Sequence, residues 1–154
     1  MTVAADIETV SLGAFHLAGL EVRARWQELH TAVPAGWRAL FERLPEAANF
    51  LEVSIEVLDG TYTELIGAAW AKAEPLPEGL RLLHVPANRW LHLVHEGPVA
   101  TIGAGFAELY NHARDADLTV GDLKLDFGYT RDGGETRHDL YLAIEPAERP
   151  HWIK

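Results

Sequence analysis

Apolar and polar residues alternate along several stretches of this chain, while two other stretches follow the helical period. Alternation within residues 12–26 predicts a half-buried strand. Residues 34–45, which begin and end with proline, carry apolar side chains at helical spacing and predict an amphipathic helix. Alternation returns over 51–57 and, after the turn signal Asp59-Gly60, over 61–72, which predicts a β-hairpin.

The same order of patterns occurs a second time, after a connection that is rich in proline and glutamate. Residues 90–95 predict a strand, and Gly97-Pro98 then opens a second stretch of helical spacing. Residues 123–129 alternate again, and Asp132-Gly133-Gly134 is a turn signal before a last alternating stretch at 140–144. The second half therefore predicts strand, helix and hairpin, as the first half does.

The two halves also match at the level of single residues. Three apolar positions of the first helix recur 69 residues later (106 − 37), pairing Trp37 with Phe106, Leu40 with Leu109 and Phe41 with Tyr110. The hairpin turn recurs 73 residues later (132 − 59). We therefore predict a single domain over 1–154 made of a duplicated unit, with repeat one at about 12–73, a linker at 74–79, repeat two at about 80–146 and a tail at 147–154.

Each predicted unit has one helix for three strands, which indicates an α+β fold with helices on one face of the sheet only. We expect the apolar row of each strand to face the helices. The opposite row then lines the other face, and it contains Glu52, Ser54 and Glu56 in the first unit and Asp139, Tyr141 and Ala143 in the second.

Composition and charge restrict the class of protein. The chain is 48% hydrophobic and 23% charged, contains no cysteine and has no apolar stretch long enough to span a membrane. Its N-terminal residues 1–10 carry acids instead of the basic region of a signal peptide, so we expect a cytoplasmic protein. The 13 basic and 23 acidic residues give a net charge of −10, which disfavours nucleic acid partners and favours a cationic ligand. Because no apolar stretch is long enough to span a membrane, we also expect no membrane partner.

Three motifs in the second half resemble one known family. They are His95-Glu96-Gly97-Pro98, Phe106-Ala107-Glu108-Leu109-Tyr110 and His138-Asp139-Leu140-Tyr141-Leu142-Ala143-Ile144. Together they resemble the GyrI-like small-molecule-binding domain, the effector-binding domain of bacterial transcription activators, in its stand-alone form. The resemblance covers nearly everything from Leu12 to Pro146.

The resemblance implies a curved antiparallel sheet made of two pseudo-twofold-related strand-helix-strand-strand units, with a ligand groove on the face opposite the helices. Members of this family bind bulky, often cationic aromatic compounds, as in multidrug recognition. Asp139 stands where the family has an acidic groove residue, and Tyr141 matches its aromatic residue two positions later. Some stand-alone members inhibit DNA gyrase, and a minority hydrolyse cyclopropane-bearing compounds.

We therefore predict a groove that binds small amphipathic, cationic aromatic molecules. The predicted ligand-binding residues are Asp139, Tyr141, Glu56, Trp70 and Trp90. A carboxylate attracts an organic cation, and neighbouring rings add cation–π attraction.

Other chemistry is poorly supported by the sequence. We expect no cofactor. We also expect no metal site, since His92 and His95 would point to opposite faces of a strand and could not bind one ion together. No catalytic residue is assigned, although the alternative of a hydrolase with Asp139 or Glu56 as general base stays open, as do a protein-binding inhibitor and a homodimer.

Overall fold

Nine strands within residues 6–153, the part of the chain that this computed structural model describes, form a single antiparallel sheet that carries two helices. The predicted domain range 1–154 and the N-terminal stretch 1–10 both include residues outside this described part. The strand order across the sheet is β1-β6-β8-β7-β3-β4-β2-β5-β9. The strands are β1 (Glu8–Leu12), β2 (Phe15–Arg25), β3 (Phe50–Leu58), β4 (Thr61–Ala69), β5 (Arg81–Val85), β6 (Asn88–Glu96), β7 (Val120–Tyr129), β8 (Arg137–Ile144) and β9 (His151–Trp152).

The order strand, helix, strand, strand occurs twice, as β2-α1-β3-β4 and as β6-α2-β7-β8. Helix α1 (Trp26–Arg43) packs on β2 and β4, and helix α2 (Ile102–Asp115), which follows a short 3-10 turn (Val99–Thr101), packs on β6 and β8. The predicted α+β class, with a large antiparallel sheet and two helices, is confirmed. Of the helices in the described part, none combines the length and apolarity that a membrane crossing needs.

Short outer strands tie the two units together. Strand β1 precedes the first unit but pairs with β6 of the second, whereas β5 precedes the second unit but pairs with β2 of the first. Each unit thus receives an outer strand that lies next to the other unit in sequence. Strand β9, in the predicted tail, pairs with β5. The sequence patterns did not predict β1, β5 or β9 as strands.

Helix α1 begins eight residues before the predicted start, and Pro34 lies inside it. The predicted start at Pro34 was wrong. It was expected there because a proline in a helix interior removes a backbone hydrogen bond and costs about 3 kcal/mol. The apolar stripe, however, already begins before the proline, with Leu29 and Val33 on the same side as the buried Trp37 and Leu40. Burial of this continuous apolar stripe stabilises the helix by more than the missing hydrogen bond at the exposed Pro34 costs.

The two faces of the sheet are buried in different ways. On the helix-bearing face, α1 and α2 each cover their own cluster of buried residues. The opposite face has no helix, and side chains from seven strands pack there into one cluster, so the sheet must curve to bury this face against itself. The buried members of that cluster are Leu17, Leu51, Val53, Leu65, Leu83, Val85, Trp90, Leu123, Leu125 and Ala143.

In β3 the predicted facing is reversed. Leu51 and Val53 pack into the cluster on the helix-free face, so Glu52 and Ser54, which alternate with them, lie on the helix-bearing face. The expectation fails because it assigned every apolar row to the helices, although the helices lie mainly on other strands and α1 contacts β3 only at its first residue, Phe50. In β8 the prediction is correct, since Leu140 and Leu142 pack under α2 and Tyr141 faces away.

A bulge at Gly128 changes the facing of the last residue of β7. Phe127 pairs with Leu51 while Tyr129 pairs with Phe50, so Gly128 is left without a partner in β3. Gly128 has a φ of 128°, in the region that favours glycine. The extra residue moves Tyr129 to the helix-bearing face, where its ring stacks on Trp37 with centroids 4.6 Å apart. The sequence had placed Tyr129 in one row with Phe127.

We predict that Gly128→Ala destabilises the protein by about 2 kcal/mol or more. The new Cβ would meet the Arg137 carbonyl oxygen at 2.5 Å, and positive φ costs a non-glycine residue roughly 1–2 kcal/mol. The matched control is Gly103→Ala in α2, where nothing lies within 4 Å of the new Cβ and a stabilisation of about 0.5–1 kcal/mol is expected. Urea unfolding curves measure the free energy of unfolding of both variants. Equal effects of the two substitutions would contradict a bulge with positive φ at Gly128.

Candidate functional site

An aromatic recess lies at one end of the helix-free face. It has a volume of about 620 Å³ and is bordered by Phe15, Phe127, Tyr141 and Asp139, together with backbone at the ends of β3 and β7. The ring centroids of Phe15 and Phe127 are 6.2 Å apart, and Phe127 meets Tyr141 edge to face at 5.7 Å. These rings are half-buried, so they offer apolar surface to a ligand and stay ordered by packing on the core.

Asp139 supplies the negative charge of the recess. Its Oδ1 atom lies 2.8 Å from His92 Nε2, and the Asp139 side chain is 33% exposed. The His92 ring stacks on Tyr141 with centroids 4.6 Å apart, so one histidine contacts both the carboxylate and the aromatic ring. Burial, and then the Asp139 charge, raise the pKa of Tyr141 above its ordinary value. Tyr141 is therefore a neutral hydroxyl beside a carboxylate.

Three of the five predicted ligand-binding residues lie in one neighbourhood. Asp139 and Tyr141 border the recess, and Trp90 lies below it, fully buried, with its ring edge-on to Tyr141 at 6.3 Å. Trp70 lies apart from them, beyond the C-terminal end of α1, where its Nε1 donates a hydrogen bond to the Glu74 carbonyl at 3.3 Å. Glu56 lies on the opposite face.

Between α1 and α2 there is a second opening, the interhelical groove. One cavity of about 330 Å³ is lined by Trp26 and Leu29 of α1 and by Ile102 and Phe106 of α2, over the uncovered strands β3 and β7. An adjoining cavity of about 530 Å³ extends along α1 to Trp37. Glu56 lines this groove and forms an ion pair with Arg149 at 2.8 Å.

The floor of the groove is a hydrogen-bonded chain of acids. The Tyr129 hydroxyl lies 2.8 Å from Glu52 Oε2 and 2.6 Å from Asp126 Oδ2. A phenol has one hydrogen, so both contacts are hydrogen bonds only if one carboxyl group is protonated. Glu52 is that group, because burial and the charge of Glu64 raise the pKa of Glu52 to about 8.

The chain continues beyond Glu52 and Asp126 at both ends. Burial raises the pKa of Glu64, although a 2.5 Å hydrogen bond from Ser54 and the charge of Lys124 oppose the shift. At the other end Asp126 Oδ1 lies 2.7 Å from Nδ1 of the fully buried His138. Burial lowers the pKa of His138, but the hydrogen bond and charge of Asp126 outweigh it and raise that pKa.

Sequence reasoning considered Glu52 but missed this network, because its partners come from four strands. A buried Asp126 among apolar residues of β7 was the one available signal. The flip of Tyr129 by the Gly128 bulge could not be predicted from alternation.

We predict that Glu52→Gln stabilises the protein at pH 8 more than at pH 5. Unfolded Glu52 titrates near 4.5 and folded Glu52 near 8, so between these values only the folded state holds the proton and the free energy of unfolding falls as pH rises. Glutamine removes this penalty. Thermal unfolding at both pH values measures it, since each kcal/mol moves Tm by roughly 2–4 °C in a domain this size.

The control is Glu108→Gln, an exposed position on α2 that is expected to change Tm equally at both pH values. A Glu52→Gln effect that is independent of pH would contradict a protonated Glu52.

A known protein family and several solved structures are similar to this chain. The family model of Cass2, described as an integron-associated effector binding protein, matches residues 8–144. Among curated proteins, no sequence match was found for the chain. Solved structures also share the fold at low sequence identity, and three examples show this.

The structure of SAV2435 bound to tetraphenylphosphonium has a TM-score of 0.70 and 10% identity, covering 92% of this chain and 94% of that one. A putative bacterial transcription regulation protein from Staphylococcus aureus MU50 has a TM-score of 0.65 and 11% identity, covering 91% and 98%. Integron cassette protein VCH_CASS2 from the mobile metagenome of Vibrio cholerae has a TM-score of 0.64 and 11% identity, covering 90% and 95%. The family model spans both strand-helix-strand-strand units, and the chain therefore belongs to the Cass2 family of integron-associated effector binding proteins.

Proposed function

We propose that this protein binds cationic aromatic small molecules in the aromatic recess, with Asp139 as the partner of the positive charge. The single observation that carries the proposal is a carboxylate at the border of a recess lined by Phe15, Phe127 and Tyr141. Aromatic faces and a carboxylate together attract an organic cation, and an apolar recess of this size holds a drug-sized molecule.

The restraint of Asp139 favours a binding role over that of a solvated surface acid. His92 holds the carboxylate through one oxygen and stacks on Tyr141, so both groups are oriented before a ligand arrives. Preorganised groups lose less conformational entropy on binding. The neighbour SAV2435 carries tetraphenylphosphonium, an aromatic cation without hydrogen-bond donors, in the same fold. This ligand is the natural first probe.

We expect Asp139→Asn to weaken tetraphenylphosphonium binding about five- to thirty-fold. Asparagine keeps the volume and removes the charge, and a carboxylate that is 33% exposed lies between an exposed ion pair at ~0–1 kcal/mol and a desolvated one at ~2–5 kcal/mol. Calorimetric titration measures the change. Triphenylphosphine oxide, a neutral compound of related shape, is expected to bind both proteins equally.

Asp115→Asn, an exposed acid at the end of α2, serves as the matched control and is expected to leave both affinities unchanged. If Asp139→Asn binds the cation as tightly as the original protein, the recess is not the cation site.

A ligand in the recess is also expected to change the fluorescence of Trp90, whose ring meets Tyr141. Trp90→Phe is therefore expected to remove most of the ligand-induced change, whereas Trp70→Phe, away from the recess, is expected to preserve it. Emission spectra with and without tetraphenylphosphonium test this, and circular dichroism checks that each variant is folded. Loss of the change in Trp70→Phe alone would move the site to the C-terminal end of α1.

A further inference from the structure

Three of the eight histidines form a row across the outer strands of the sheet. His16 on β2 is directly opposite His84 on β5, and His84 is directly opposite His151 on β9. The residues next to them in the strands, such as Leu17 and Trp152, pack into the cluster on the helix-free face, so the three imidazoles lie together on the other face. The row borders neither the recess nor the interhelical groove.

The spacing of these rings matches that of ligands around one metal ion. His16 Nε2 and His84 Nδ1 are 3.1 Å apart. Two nitrogens bound to one ion at about 2.0–2.1 Å lie roughly 2.8–3.4 Å apart, from square to tetrahedral geometry. The ring centroids are 4.8 Å apart for His16 and His84 and 4.9 Å apart for His84 and His151, and imidazoles on a tetrahedral ion have centroids roughly 5 Å apart.

His151 has to turn before it can add a third nitrogen. Within residues 6–153, no three His, Cys, Asp or Glu side chains are already placed to hold an ion. His16 and His84 are half-buried within paired strands, whereas His151 is exposed and lies in a strand of two residues. An exposed side chain changes its rotamer within picoseconds to nanoseconds. The sheet therefore holds two nitrogens in place, and the third can follow the ion.

The donor atoms of the row select the kind of metal. A hydrogen bond between His16 and His84 would use the same two nitrogens, but it gives no role to the third histidine. Imidazole nitrogen binds Zn²⁺ and Cu²⁺, whereas Ca²⁺ and Mg²⁺ take oxygen ligands. The groups that act on His16 through their charge are all basic, namely His84, Lys72 and His151. A set of nitrogen donors without a carboxylate among them favours a transition metal.

We propose that His16, His84 and His151 bind one divalent transition-metal ion, Zn²⁺ or Cu²⁺, with water in the remaining position. His16 Nε2 and His84 Nδ1 coordinate first, and His151 turns to complete the three ligands. The ion then ties β9 to the sheet, because the pairing of β9 with β5 covers only two residues. This differs from the sequence-based expectation of no metal site, which considered the pair His92 and His95 within one strand.

Calorimetric titration of the untagged protein with Zn²⁺ at pH 7.5 tests the site. We expect a single bound ion, and a loss of affinity of at least about tenfold in His84→Gln, because the middle ligand of the row is removed. His30→Gln, which removes an exposed histidine of α1, is the matched control and is expected to keep the full affinity. Failure of the original protein to bind Zn²⁺, or equally tight binding by His84→Gln, would overturn the proposal.

The Cu²⁺ form of the original protein provides a test that does not depend on the folding of a variant. Electron paramagnetic resonance counts the nitrogen ligands of Cu²⁺, and we expect three in the original protein. In His151→Gln the count is expected to fall to two. Fewer than three nitrogens in the original protein, or an unchanged count in His151→Gln, would overturn the assignment of the ligands.

Hydrogen exchange tests the tie between the ion and the tail. The Ile153 amide donates to the Leu82 carbonyl oxygen at 2.9 Å, so its exchange reports the detachment of β9. At a Zn²⁺ concentration ten times the Kd, exchange that requires release of the ion is expected to slow about tenfold in the original protein. The same Zn²⁺ is expected to have no effect in His84→Gln. Equal exchange with and without Zn²⁺ in the original protein would overturn the tie.

Discussion

Two helices cannot cover one face of a nine-stranded sheet. Neighbouring strands lie about 4.8 Å apart, so nine strands span roughly 40 Å, while a helix with its side chains is about 10 Å wide. Helix α1 lies on β2 and β4, and α2 lies on β6 and β8. Apart from Phe50 and Tyr129, on which Trp37 of α1 packs, the central strands β3 and β7 are left open between the helices. The interhelical groove and its acid floor exist because of this shortfall in width.

The other face has no helix at all and is buried by curvature. Side chains from seven strands meet in one cluster, and the exchange of β1 and β5 between the two units extends the sheet on both sides. A curved sheet cannot pack its own face completely up to the strand ends. The aromatic recess lies at such an end, where Phe15, Phe127 and Tyr141 are only half-buried and Asp139 reaches the border.

The two openings meet at one side chain. Tyr129 donates to the acid floor of the groove, stacks on Trp37 and also borders the recess. Its position follows from the bulge at Gly128, because without the extra residue its ring would face the core of the opposite face.

Local patterns in the sequence determined the kind and order of most elements. Alternating residues, helical stripes and the two turn signals at Asp59-Gly60 and Asp132-Gly133 depend on neighbours a few residues apart, and they predicted the two strand-helix-strand-strand units. The motif around His138 to Ile144 also placed Asp139 and Tyr141 together, because residues two apart in a strand share a face.

Tertiary structure alone decided which face each row occupies. Period two shows that Glu52 and Leu51 point to opposite sides, but it does not say on which side the helices lie. A single extra residue at Gly128 reversed the facing of Tyr129, and pairing between strands far apart in sequence joined Glu52, Glu64, Asp126 and His138. The proton balance of the acid floor depends on distances below 3 Å between those strands. No local pattern encodes such distances, so the sequence by itself identified a carboxylate and an aromatic ring, and the fold determined which acids share protons.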